Sequence, residues 1–211
     1  QAPDIIFSAH EEYIRAGSQL IESNTFGANR FKLREAGVGD QVREINRAGA
    51  KIAVKAAGHQ VYVAGSVGPS GISFPLNEEE VTLEDIRTSF RDQVLGLAEG
   101  GVDLLILETF SSLDEILLAI ELACTETPDL PVIGQMVFPA HGITVLGEDA
   151  LLCGEKMHAA GAAMVGTNCG RGVDAMVQAV DKMSALAGTG IPLSAFPNAG
   201  MPEMIGGRVH Y

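Results

Sequence analysis

Val102-Asp103-Leu104-Leu105-Ile106-Leu107-Glu108-Thr109 is the stretch on which the fold turns. Four large apolar residues in a row, without the alternation of a sheet that has one wet face, describe a strand covered on both faces, as in parallel sheets. A carboxylate and a hydroxyl follow at once. Ending a buried strand on a carboxylate is costly unless that group is hydrogen-bonded or faces a polar cleft. The same grammar recurs along the chain: short apolar runs at 19–23, 61–67, 132–137, 162–167 and 191–196 each give way to polar or glycine-rich residues. Between the runs lie segments of helical period. Thr82 precedes Leu83, Ile86, Phe90, Val94 and Leu97, spaced by three and four, and Gly100-Gly101 closes the segment. Ser112 and Glu115 form a capping box ahead of Leu113, Leu117 and Ile120. Residues 5–16, 40–57, 148–160 and 173–186 read as further helices.

Six strands alternating with helices allow an open doubly wound sheet or a barrel. The first run is followed by Asn24-Thr25-Phe26-Gly27-Ala28-Asn29, which is not the Gly-x-Gly-x-x-Gly fingerprint of a dinucleotide-binding sheet. Asn24 and Thr25, Gly65 to Gly68, Glu108 and Thr109, Asn168 and Cys169, and Asn198 all stand at or just past strand carboxyl ends. In a barrel those positions converge on one mouth. The expected fold is therefore an α/β (β/α)8 TIM barrel.

Composition narrows the function classes. Of 211 residues, 46% are hydrophobic and 19% charged, the profile of a globular core and not of a disordered chain. Lys and Arg number 14 against 27 Asp and Glu, so the formal charge of −13 repels phosphate backbones and anionic lipid headgroups. Neither nucleic acid nor membrane is expected as a partner. No apolar run reaches the ~20 residues of a membrane helix, and no basic-then-apolar signal segment opens the chain. Three widely spaced cysteines fit reduced thiols, and the expected location is the cytoplasm.

Among groups that carry chemistry, Cys169 stands before Gly170-Arg171-Gly172, at a strand end near a helix start, where the thiolate is favoured. The plain alternative is a small residue at a tight turn. Cys124 and Cys153 fall inside helical segments and read as packing residues. Glu108 suits a substrate ammonium or a proton transfer; the plain alternative is a cap on the following helix. Asn24 and Thr25 suit the orientation of a zwitterion, or simply the making of a turn. The loop from Gly65 to Gly71 lacks the Gly-Lys-Ser/Thr end of a phosphate loop and reads as close backbone approach at the mouth. His141, in a loop after a strand, is a further candidate contact.

Taken in order, His10-Glu11-Glu12-Tyr13, Glu22-Ser23-Asn24-Thr25-Phe26, Gly65-Ser66-Val67-Gly68-Pro69, Glu108-Thr109-Phe110, Gly166-Thr167-Asn168-Cys169 and Pro197-Asn198-Ala199-Gly200 resemble the homocysteine S-methyltransferase family. That family includes the homocysteine-binding module of cobalamin-dependent methionine synthase and the S-methylmethionine- and betaine-type enzymes. The resemblance runs over nearly all of residues 1–211 and implies a single barrel domain, incomplete at both ends, whose six strands stand as strands two to seven of eight. It implies zinc-dependent methyl transfer to the thiol of homocysteine, giving methionine, with zinc activating the thiolate. Cys169 would be one zinc ligand and the catalytic cysteine. Two further cysteine ligands, from a Gly-Gly-Cys-Cys-Gly segment, are expected beyond Tyr211, and Asn198 would hold the open zinc position. Asn24, Thr25, Glu108, Thr109 and Asn168 would bind substrate, with Glu108 on its ammonium. Cobalamin or methyltetrahydrofolate would enter through other modules, and the methyl donor and a homo-oligomeric state stay open. Two other readings remain: a metal-independent barrel lyase or isomerase using Glu108 as base and Cys169 as nucleophile, and a non-catalytic homocysteine-binding barrel.

Overall fold

The computed structural model describes residues 2–77, 79–198, 200 and 203–210. Gln1, Tyr211 and Ala199, the last within the Pro197-to-Gly200 stretch quoted above, lie outside the described residues. Six strands form one sheet: β1 (Leu20–Glu22), β2 (Tyr62–Val67), β3 (Leu104–Phe110), β4 (Val132–Met136), β5 (Met164–Cys169) and β6 (Leu193–Pro197). Every neighbouring pair is parallel, and the spatial order is the chain order from β1 to β6. A doubly wound sheet reverses its strand order at a switch point. The described sheet has no reversal, and an unbroken sequence of parallel strands is consistent with part of a (β/α)8 barrel.

The helices are α1 (Pro3–Arg15), α2 (Arg30–Glu35), α3 (Val42–Ala57), α4 (Leu83–Gly100), α5 (Leu113–Glu126), α6 (Ala150–Ala159) and α7 (Val173–Ala187). Their ends follow local chemistry. Thr82 and Asp85 complete the capping box of α4, and Gly101 ends that helix at φ 88°, a conformation open to glycine. Ser112 caps α5 by accepting from the Glu115 N–H, but the Glu115 carboxylate does not return the bond expected of a capping box. It reaches instead to the loop after β2, where it accepts from the Ser70 N–H at 2.8 Å and from the Ser70 hydroxyl at 2.5 Å. Burial pushes the Glu115 carboxyl up, and the Ser70 bonds oppose that rise. Sequence reading passed over α2, which is short and starts on an Asn29 side chain that accepts from the Lys32 N–H. It also passed over an exposed antiparallel hairpin, β7 (Glu203–Ile205) with β8 (Arg208–His210).

The sheet packs on the helices through Val63, Leu105, Leu107, Met136, Val165 and the apolar faces of α3 to α7. Its opposite face carries a smaller cluster of Ala64, Ile106 and Ile133. Among the described residues no helix is long and apolar enough to cross a membrane.

Candidate functional site

The register of the sheet decides which side chains share the mouth. Glu22 is aligned with Ala64, Ser66 with Ile106, Ile106 with Ile133, Gln135 with Gly166, and Asn168 with Phe196. Because side chains alternate along a strand, Glu22, Ser66, Glu108, Asn168 and Phe196 all project from the face opposite the helices, one per strand, at the carboxyl ends. β3 breaks its register after Leu107, and Thr109 takes φ 65° there. The kink lets Glu108 face the mouth while Phe110, two residues on, turns back into the core on the helix side. Cys169 ends β5 in the same left-handed conformation, φ 56°. Such a backbone costs a β-branched or thiol residue about 1–2 kcal/mol, and it is met at two strand ends, those of β3 and β5.

Asn168 joins these ends. Its Nδ2 donates to Glu108 Oε2 at 3.1 Å and to Thr109 Oγ1 at 2.7 Å, and its Oδ1 accepts from the Thr109 N–H at 2.8 Å. Cys169 Sγ lies 3.7 Å from Thr109 Oγ1 and 3.6 Å from Asn168 Nδ2. From the other side, the Ser66 hydroxyl donates to Glu108 Oε1 at 2.6 Å. Both oxygens of the Glu108 carboxylate are thus oriented by donors, which satisfies a charge placed at the end of a buried strand.

A cavity of about 860 Å³ opens beside this cluster, between α1 and β1, and Glu22, Asn24, Ser66, Glu108, His10 and Phe196 are among its walls. Glu22 and Glu108 line the same cavity, and burial first, then the charge of Glu108, pushes Glu22 up to about 7. His10, only 7% exposed, has no partner for its Nε2 among the described residues, and burial pushes its imidazole down.

The remaining sequence candidates are placed as follows. Asn24 is exposed at the cavity wall. Thr25, 2% exposed, donates to the Ser66 carbonyl at 2.8 Å and bonds the Ser23 hydroxyl at 2.7 Å, so its side chain ties the β1 and β2 loops together. Asn198 donates to the Gly170 carbonyl at 3.2 Å and so sits over the turn that follows Cys169. His141 is exposed in a loop tied to Gln178 and does not line the cavity. Gly68 meets the Phe26 ring, where an added Cβ would lie 2.5 Å from the ring edge, so the glycine-rich loop serves contact between loops. Cys153 is buried, its thiol pushed up to about 12, and Cys124 sits on α5 against the Gly161 carbonyl. Sequence reading missed Glu22, Ser66, His10 and Phe196 as members of the site. Glu22 carried the signal that identified Glu108, a carboxylate closing an apolar run.

Among the described residues no group of three or more His, Cys, Asp or Glu is arranged to hold a metal ion. Cys169 is the one thiol at the strand ends, so the residues present do not by themselves make the three-thiolate zinc site that the resemblance implies.

The profile of the homocysteine S-methyltransferase family matches residues 1–211. Methionine synthases of Mycobacterium leprae and Mycobacterium tuberculosis are 31% and 30% identical over 213 residues, covering 96% of this chain. The chain spans only 17% of the length of each. The metallated form of the homocysteine methyltransferase MmuM from Escherichia coli superposes with a TM-score of 0.81 at 23% identity, over 95% of this chain and 74% of that one, a likeness of fold.

Proposed function

The chain belongs to the homocysteine S-methyltransferase family, and from that premise we propose that its strand-end cluster binds homocysteine within a protein that methylates the homocysteine thiol to give methionine. The observation that carries this reading is Asn168, which links a carboxylate suited to an ammonium, two strands away, with the thiol beside it at the end of β5. In this reading Glu108 accepts from the substrate ammonium, held in place by Ser66 and Asn168. Asn24 stands at the open wall, beside the polar end of the amino acid. Thr25 and Thr109 act by positioning, the first on the loops and the second on Cys169. Residues 1–211 form one domain, and the six parallel strands make up six units of a (β/α)8 barrel, strands two to seven in barrel order.

Zinc activation of the thiol belongs to the whole protein, with Cys169 as one thiolate ligand and Asn198 over the adjoining turn. The described residues lack the other thiolates. The methyl donor enters as a partner in the whole protein; cobalamin or methyltetrahydrofolate would require further modules. The test is methionine formation by the full-length protein from homocysteine and donors of the folate–cobalamin, sulfonium and betaine classes. Cys169→Ser is expected to lose both turnover and bound zinc, read by elemental analysis, while Cys124→Ser keeps both. Absence of methionine with every donor class would overturn the reading.

A further inference from the structure

Two carboxyls, those of Glu22 and Glu108, line the cavity beside the mouth, and no cation opposes them among the described residues that line it. Glu22 comes from β1, Glu108 from β3, and Ser66 stands on β2 between them with its hydroxyl committed to Glu108. The titratable groups that face the pair from packed elements are His10 and Tyr13 of α1, and among the described residues lining the cavity there is no Lys or Arg. His10 is held toward its neutral form by burial, so it does not supply the missing charge. Two neighbouring carboxyls at a partly buried position repel each other when both are ionised, so one of them holds a proton more readily than a free carboxyl does. A site of this kind calls for a positively charged ligand group.

Resting on the homocysteine reading above, we propose that Glu22 is a second ammonium-binding residue, and that seating the substrate ammonium between Glu22 and Glu108 expels the proton that Glu22 holds in the empty cavity. The balance is simple. The O–H bond of the protonated Glu22 carboxyl breaks, its proton passes to solvent, and the ammonium of the amino acid takes its place as the neutralising charge. The elevated proton affinity of Glu22 in the empty cavity, up to about 7, accords with this exchange near neutrality. The site then senses pH: below neutrality the ligand competes with a proton, and above it the cavity stands ready with two charges.

The probe is L-methionine, the product, which carries the same ammonium and no thiol proton. Binding to the full-length protein is followed by calorimetry in buffers of different ionisation enthalpy. At about pH 6 roughly one proton per methionine is expected to be released, falling toward zero above about pH 8, with affinity rising over the same interval. Glu22→Gln, which keeps the shape of the neutral carboxyl, is expected to bind with no proton release and with affinity flat in pH. Release that survives in Glu22→Gln, or wild-type binding without release, overturns the inference while leaving the homocysteine reading in place. Failure of both methionine and homocysteine to bind overturns the inference and that reading together.

Discussion

Two protons on one amide set the order of the strand-end cluster. Asn168 Nδ2 has three acceptors within reach, Thr109 Oγ1 at 2.7 Å, Glu108 Oε2 at 3.1 Å and Cys169 Sγ at 3.6 Å, so the sulfur is the weakest partner. The amide therefore serves first to hold the Glu108 carboxylate and the kinked backbone at Thr109, and the thiol keeps its freedom to take a stronger partner. Glu22 follows the opposite logic, because its place beside Glu108 favours the uncharged form. Its proton affinity is raised from 4.5 to about 7 in the native state, chiefly by burial. A raised carboxyl contributes stability that is fully present below the unfolded value of about 4.5 and is lost as pH climbs through about 7. The loss is about 3 kcal/mol across that window. Glu22→Gln keeps the neutral shape at every pH, so its melting temperature is expected to fall less than that of the wild type between about pH 5 and pH 8, and to exceed it at the upper end. Parallel declines in the two proteins would show that Glu22 ionises without cost.

At the level of elements, packing overrules propensity where α3 and α4 cross. Gly100 lies in the last turn of α4, and a Cβ added there would stand 2.3 Å from the Ala50 Cβ and 3.0 Å from the Arg47 carbonyl of α3. Helix propensity alone favours alanine over glycine by about 1 kcal/mol. Overpacking a close helix contact costs about 1–3 kcal/mol, and Ala50 sits on a rigid backbone with no side chain to swing away. Gly100→Ala is thus expected to lower the melting temperature by several degrees, about 2–4 °C per kcal/mol for a chain of this size. An unchanged or raised melting point would mean that the helices separate without cost. The same contrast explains what was legible in the sequence. Strands were visible because Leu104 to Leu107 and their counterparts are runs that only a doubly covered sheet explains, and helix starts because Thr82 and Ser112 carry their own caps. The helix α2 was not, being six residues long with no buried side chain to give it a period. Glu108 and Cys169 were legible as polar groups closing apolar runs. Their joining by Asn168, the turn at Thr109 and the partnership of Glu22 depend on register between strands distant in sequence, which no local pattern encodes. Glu115 shows the same limit: its spacing from Ser112 promised a local cap, and the carboxylate spends its bonds on Ser70, 45 positions away.

For the molecule as a whole, the two edges of the sheet decide between an open sheet and a barrel. Strands β2 to β5 have a hydrogen-bonded neighbour on each side, whereas β1 pairs only with β2 and β6 only with β5 among the described strands. β1 has just three residues, and Phe196 on β6 is 40% exposed. An unpaired edge exchanges its amide hydrogens through small local openings, while central strands exchange only when most of the sheet opens. A closed barrel has no edges, so every strand gains two neighbours and comparable protection. If the six strands are units of a (β/α)8 barrel in the full-length protein, amide exchange of Leu20 to Glu22 and Leu193 to Phe196 should be as slow there as that of Leu105 to Leu107. A protein of residues 1–211 alone should protect β3 and β4 well and β1 and β6 poorly, because only the latter two lack a second partner. Rapid exchange at both edges in the full-length protein would refute the barrel reading and leave an open six-stranded sheet.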